Sequence, residues 1–537
     1  MSRSTWRVRG KITAGLVCSV LLPALLVGCS SGGGPSPSGS NNARPTLVIS
    51  TPFTITNLDP YNNSGGKVSS EFGFGELLMR PNPDGTLSPW VLQSLHATSP
   101  TVWQLTIRPH IKFQDGKALD GAALAACMSQ QLTKNLGIAS VLAGATAIAS
   151  GTLSVTLTTA NPVSDLPYLL ADIHYFKVFD VDAYNAAAGN TVAGKVNTLV
   201  GKGIYTGPYE VQSLTADQMV MTHNNGYWGG KPALSKVTVQ FIEDPQAQLL
   251  AVENGETDFA LQPPASAVKV LAGQSDAYYV TGPTSGGIGM SRVILNVHSG
   301  DVFTDQMVRE AFSLGINYSQ IANEVLNGAY SVGFGMYSSG APYAMHTQVY
   351  DPAKAQQILD QDGWTVGTGG VRSKDGRQLS IKLLTFPEVA DYAPVAVAIQ
   401  AELKSLGFAV TITSVEDINS ALMVPTGWDA ALYQSGTLAT SLDPISALHD
   451  DLTPAGQFDF GGVNDAALNS VVASLTATMD PTQTDSLLMQ AQQIVSNEAY
   501  QVFIGEDKPA VIAAPAWKGY IPSSTLIYIT NTTAPTG

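Results

Sequence analysis

The residues best suited to hold a metal are seven histidines, at positions 96, 110, 174, 223, 298, 346 and 449. None pairs with another at the three-to-five spacing that sets two imidazoles on one helical face. HExxH, CxxC and EF-hand patterns are absent as well, so each histidine reads as a surface or satisfied core residue. Gly189 to Gly194-Lys195 copies the opening of a phosphate loop. Val196, however, stands where magnesium binding needs a hydroxyl, and no apolar strand leads into it. No serine occupies a Gly-x-Ser-x-Gly elbow, and no carboxylate pair is marked out for acid–base work. These residues predict a protein that binds rather than reacts, with no metal and no cofactor.

The residue with the clearest chemistry is Cys29. Arg3, Arg7, Arg9 and Lys11 precede an apolar run from Ile12 to Val27, which ends in Leu26-Val27-Gly28-Cys29. A charged start, a short apolar middle and small residues at the cut describe an export signal. The run contains Pro23 and falls short of the roughly 20 apolar residues that a spanning helix needs. The tetrapeptide resembles a bacterial lipobox, which implies acylation of Cys29 after removal of residues 1–28. The tract from Ser30 to Ser40 is serine, glycine and proline only, a linker that lets a folded body stand off a surface.

The net charge is −15 over 537 residues. Loss of the signal, with its four cations and no anion, would take it to −19. Phosphate would be repelled, so nucleic acid is excluded as a partner. Cys18 leaves with the signal and Cys29 takes the lipid, so Cys127 remains without a partner for a disulfide. A body of this length exceeds one compact core and predicts two or three lobes held by packing.

The elements that must position any site divide into two styles. Thr46 to Ser50 reads as a buried strand; Trp103, Leu105 and Ile107 alternate with polar residues, and Asp115-Gly116 turns the chain after them. Further strands are predicted at Leu153–Leu157 and through Val237, Val239 and Phe241. Beyond residue 300, Val308, Ala311, Phe312 and Gly315 fall at helical spacing. Asp351-Pro352 starts a helix with Ala355, Ile358 and Leu359 inward, and Gly363 ends it. Leu379, Ile381 and Leu383, a helix to Leu406 stopped by Gly407, and Phe408, Val410 and Ile412 make a βαβ unit with parallel strands. The fold class is α/β, with two lobes and no internal repeat.

Several segments, in order, resemble the large solute-binding proteins of ABC importers, the peptide/nickel family known as extracellular solute-binding family five. They include Asn57-Leu58-Asp59-Pro60, Gly75-Glu76-Leu77-Leu78 with Asp84-Gly85-Thr86-Leu87-Ser88-Pro89, and Trp103, Arg108, Phe113, Asp115 and Gly116. The most specific are Thr206-Gly207-Pro208-Tyr209, Asn224 to Pro232 around Tyr227-Trp228-Gly229-Gly230, and Glu253 to Asp258. Asn296, Phe303-Thr304-Asp305, Val308 to Ala311, and Asp351-Pro352 with Ala355 and Gly363 continue it. These are mostly fold-making residues, with Gly207-Pro208 expected to set a turn and Trp228-Gly229-Gly230 a bend through positive φ.

The resemblance implies a two-lobed periplasmic-binding-protein-like fold of the large peptide-binding type. Lobe one would span 46–290, with an inserted subdomain at about 80–200; lobe two would span 291–505, and 506–537 would return to lobe one. Crossing segments near Met290–Asn296 and Val502–Glu506 would form the hinge. The implied function is capture of a peptide or peptide-like solute between the lobes by a lipid-anchored monomer, for delivery to ABC permease subunits at the outer face of the bacterial cell membrane. One departure bears on the ligand. Peptide-binding relatives carry an aspartate before an Asp-Pro pair and nickel-binding ones a tryptophan and a tyrosine, whereas Thr437 to Leu442, before Asp443-Pro444, offers none of these. Tyr433, Gln434 and Ser435 are the expected wall residues, with Asn57 opposite; Tyr433 as a core filler is the alternative. A surface hydrolase, a signalling receptor, or a binder of a metal chelate or sugar are the competing readings.

Overall fold

β1 (Thr46–Thr51) forms where its β-branched sequence predicts and is parallel to both of its neighbours. Buried on both sides, it holds Leu47 and Ile49 fully out of solvent. The computed structural model describes residues 45–536 except 62–64, 83–85, 188–197, 283–289, 299, 301, 435–442 and 523–526. Cys29 and its linker, the segment that copies a phosphate loop, and Ser435 lie outside the described residues.

After β1 the chain builds a small antiparallel sheet from β2 (Leu92–Ser99), β3 (Val102–Ile107), β4 (Thr146–Gly151) and β5 (Ser154–Thr158), in the order β2-β3-β5-β4. The alternation predicted for β3 holds: Trp103, Leu105 and Ile107 point into a core of their own. α1 (Gly121–Lys134), capped by Asp120 accepting from the Ala123 N–H, covers that core with Leu124 and Met128. These elements lie within residues 80–200, the span expected for the inserted subdomain.

The first lobe continues with β6 (Tyr209–Leu214), β7 (Gln218–His223), β8 (Lys236–Phe241), β9 (Phe259–Leu261) and β10 (Tyr278–Thr281). Lobe two follows with β11 (Met290–Leu295), α2 (Gln306–Leu314), β12 (Tyr330–Val332), α3 (Pro352–Gln361), β13 (Ser380–Thr385), α4 (Tyr392–Lys404), β14 (Ala409–Ser414) and β15 (Ala430–Tyr433). Helices α5 (Pro444–Leu452), α6 (Ala466–Ala477) and α7 (Pro481–Glu498) lead to β16 (Gln501–Asp507). The second sheet runs β12-β16-β11-β15-β13-β14. β13 and β14 are parallel, as the βαβ reading requires, and Gly407 turns the chain between α4 and β14 at φ +91°.

β17 (Ala510–Ala513) then returns to the first sheet, giving β10-β17-β9-β1-β8-β7-β6. The segments expected to form the hinge are adjacent antiparallel strands at the centre of the second sheet, with Arg292 opposite Phe503. The chain leaves that sheet for the first across Lys508 and Pro509. The described residues of both sheets belong to one compact unit.

Two motif expectations acquire physical reasons. Tyr227 Oη and Trp228 Nε1 donate to the buried Glu76 carboxylate at 2.7 and 2.9 Å, which ties the Tyr-Trp-Gly-Gly turn to the start of lobe one. Gly230 adopts φ +96°, as that turn demands. Gly207 lies in the bend that leads into β6, as the turn expected of Gly207-Pro208 requires. A Cβ there would lie 2.4 Å from the Gly73 carbonyl oxygen, so close backbone approach is what excludes a side chain.

Candidate functional site

α5 is one of the elements on which the two lobes meet; Ala265 of lobe one, whose N–H donates to Asp391, marks another contact. Asp443 caps α5, its carboxylate accepting from the Ile445 and Ser446 N–H groups and from the Ser446 hydroxyl, with Pro444 in the first turn where no donor is needed. Every residue of the helix except His449 is buried. One side packs Ile445, Leu448 and Leu452 into a core shared with α6 and α7. The other faces residues 164–175, in the span expected for the inserted subdomain.

Contacts across that junction are polar. Ser164 Oγ donates to the Leu475 carbonyl on α6 at 3.0 Å, and Tyr175 Oη lies 3.5 Å from Asp450 Oδ2. Asp165 is hydrogen-bonded to Asp443, one carboxyl from each lobe. Burial raises both, and the neighbouring Asp165 charge raises Asp443 further, so the pair favours the protonated form more than two exposed carboxylates would. His449 is raised by its hydrogen bond to Asp450, at 2.9 Å from Nδ1. On the subdomain side, burial lowers His174 despite Asp172 at 2.9 Å, and burial brings the Lys177 ammonium down to about 8. The Lys177 ammonium donates to the His174 carbonyl.

A second polar group lies beneath α5 in sheet two. Arg292 of β11 is fully buried and ion-paired through Nη1 with Asp451, itself buried. The guanidinium carbon lies 5.8 Å from the centre of the Tyr433 ring, which meets Phe460 edge-on at 5.5 Å. Asp459 accepts from the Gly462 and Val463 N–H groups, and burial pushes it up to about 7.

The predicted wall residues fall as follows. Tyr433 ends β15, buried, with its hydroxyl donating to Asn419 Oδ1 at 2.7 Å. Gln434 follows it and donates from Nε2 to Asp507 Oδ2. Asn57, in lobe one, is buried and closes a local turn, its Oδ1 accepting from the Asp59 N–H at 3.0 Å. Among the described residues no hydrogen bond or ring contact joins Asn57 to Tyr433 or Gln434. The residues that sequence reasoning missed are Asp165, Tyr175, Asp450 and the Arg292–Asp451 pair. Two signals pointed to some of them, a lone arginine inside the mostly apolar run Met290–Leu295 and an Asp450-Asp451 doublet between Leu448 and Leu452; none pointed to Asp165 or Tyr175. A cavity of about 170 Å³ lined by Leu58, Gln114, Lys202, Tyr205 and Glu210 lies in lobe one and shares no residue with the junction.

Among the described residues, no group of three His, Cys, Asp or Glu side chains is arranged to hold a metal ion, and no helix is long and apolar enough to cross a membrane. Comparison with known proteins gives the arrangement its context. The profile of the family described as bacterial extracellular solute-binding proteins, family 5 Middle, matches residues 86–459. The chain is 24% identical to the nickel-binding periplasmic protein of Escherichia coli K12 over 489 residues, covering 87% of this chain and 90% of that one. It is also 24% identical to the oligopeptide-binding protein OppA of Mycobacterium tuberculosis H37Rv, over 57% of this chain and 52% of that one. Among solved structures, NikA from Brucella suis in complex with Fe(III)-EDTA superposes with a TM-score of 0.79 at 22% identity, covering 92% of this chain and 100% of that one. AppA from Bacillus subtilis with a bound nonapeptide gives 0.74 at 18%, covering 90% and 97%. Members of this family are transport binding proteins rather than enzymes. With the profile covering well over half of its length, the chain belongs to family 5 of the bacterial extracellular solute-binding proteins.

Proposed function

We propose that this protein is a lipid-anchored receptor, tethered through Cys29, that captures a small solute between its lobes and hands it to the permease of an ABC importer. A peptide or peptide-like molecule is the leading solute class; a metal chelate is the second, since relatives are named for nickel as well as for oligopeptides and glutathione. Tyr433, Gln434 and Ser435 would line one wall, with Asn57 opposite.

The observation that carries the reading is the set of side-chain contacts from α5 and α6 to residues 164–175 of the other lobe. Such contacts exist only while the lobes are together. A solute that touches both lobes adds its own interactions to the closed form and shifts the population toward it. A permease that recognises the closed form then reads occupancy as shape.

The test uses the full chain purified from membranes under native conditions. Mass spectrometry of the denatured extract is expected to show a retained small molecule. Thermal shift would follow with three probes: a random tripeptide library, glutathione, and Ni(II) with L-histidine. Saturation at a hundred times Kd should stabilise the protein by about 2.7 kcal/mol. Absence of any retained molecule together with no shift from any probe contradicts the reading. For the anchor, the expected outcome is a diacylglyceryl mass on Cys29, lost in Cys29→Ser.

A further inference from the structure

Sheet two buries a cation that its own fold pairs on one side only. Arg292 is fully buried, and its Nη1 goes to Asp451. Among the described residues, its Nε and Nη2 have no hydrogen-bond partner. Those two nitrogens lie along one edge of the guanidinium, the fork that matches a carboxylate with two parallel hydrogen bonds. A second buried polar group in the same place is also incomplete. Gln501, 5% exposed on the neighbouring strand β16, donates to the Asp451 carbonyl at 3.2 Å, while its Oε1 accepts from none of the described residues. Buried groups in folded proteins are nearly always satisfied, and two orphans of complementary type beside one ion pair need a reason.

Pairing with Asp451 alone is a poor one. A buried ion pair is rarely more stable than two apolar side chains of the same size, so stability does not call for an arginine here. Position suggests more. Arg292 lies opposite Tyr433, at the end of β15 where the expected wall begins. Asp451, its partner, follows Asp450, which faces Tyr175 of the other lobe. The guanidinium is therefore one residue removed from the lobe–lobe contact, with the Tyr433 and Phe460 rings excluding water beside it.

We infer that Arg292 is a solute-binding residue whose free edge takes a carboxylate of the captured molecule, with Gln501 Oε1 accepting from an adjacent N–H or O–H of that molecule. The inference rests on the receptor reading and narrows its solute to a carboxylate-bearing one. The charges are consistent with it. Asp451 balances Arg292 in the free protein, and burial pushes the Asp459 carboxyl up to about 7, so that much of it is uncharged near neutrality when the solute's carboxylate arrives. Arg292 is fully buried in this arrangement, so the carboxylate reaches it only when the side chains around it part.

The test compares acids with their neutral derivatives, using the full chain: tripeptides against their C-terminal amides, glutathione against its diethyl ester, and Ni(II)–L-histidine against Ni(II)–L-histidinamide. The wild type should bind the acid of its preferred probe at least about 30-fold more tightly than the neutral form, the size of one or two charged hydrogen bonds. The double variant Arg292→Met/Asp451→Leu removes both charges together, so no ion is stranded, and should bind acid and neutral form within about threefold of each other. Arg292→Lys keeps the charge without the fork and should show an intermediate preference; it decides the matter if the double variant does not fold. An acid preference that survives in these variants, or a wild type indifferent to acid against neutral form, overturns the inference while leaving the receptor standing. A wild type that binds no probe in either form, and retains nothing on purification, overturns the receptor reading itself.

Discussion

At the scale of single residues, the buried polar groups carry consequences that can be read as stability. Arg292→Met alone strands the buried Asp451, and should cost about 3–5 kcal/mol in chemical denaturation. Arg292→Met/Asp451→Leu should recover most of that loss, since apolar replacement of a buried pair is often neutral. Equal losses in the two variants would mean that the pair contributes packing and no strain. Glu76 offers a second case. Glu76→Leu leaves the Tyr227 hydroxyl and Trp228 indole N–H without an acceptor and should cost about 2–4 kcal/mol, whereas Glu76→Gln keeps one acceptor and should cost less than half as much. The Tyr-Trp-Gly-Gly motif was visible in the sequence, but its partner was not. Nothing local connects Glu76 to a tryptophan 152 positions later.

At the scale of elements, the sequence was most legible where one stretch of chain makes the whole structure. The βαβ unit of β13, α4 and β14, the capped start of α3 and the alternating β3 all follow from periodicity and end signals within a dozen residues. α5 shows the limit. Its cap at Asp443-Pro444 is readable, but its role at the junction depends on Asp165 and Tyr175, and the latter contact spans 275 positions. The wall residues show it too: Tyr433 was singled out for its place at a strand end, yet its ring packs on Arg292 and Phe460, partners set by tertiary folding. The pairing of Asp165 with Asp443 gives α5 a testable property. Asp443→Asn keeps an N-cap oxygen and removes one of two facing charges. Its melting temperature should exceed that of the wild type at pH 8, where a pair that favours the protonated form is costly to keep, and the gain should shrink at pH 5. The same gain at both values would show that the two carboxyls do not interact.

At the scale of the molecule, burial of acid groups sets the response to pH. Glu71, Glu76, Asp459, Glu506 and Asp507 are each pushed up to about 7, in every case chiefly by burial. The folded chain therefore holds protons that the unfolded chain has released above about pH 4, and stability falls as pH rises from there through 7. Lys177, brought down to about 8, is charged throughout that window and adds no slope. His174 is lowered and loses stability on acidification, while His449 is raised and gains it, so the two oppose each other. The melting temperature should be higher at pH 5.5 than at pH 7.5 by at least about 2 °C. A maximum at or above pH 7.5 would mean that these carboxyls ionise freely in the folded state.

Two lobes that close over a solute should also move when the solute is removed. Spin labels at Ile148→Cys on β4 and Met423→Cys in lobe two occupy exposed positions in opposite lobes, and buried Cys127 will not compete for the reagent. The distance distribution between them, measured on the full chain before and after the retained molecule is stripped by partial unfolding and refolding, tests capture by closure directly. The account requires a single short distance with solute bound and a broader, longer distribution without it. An unchanged distribution across that cycle would contradict it.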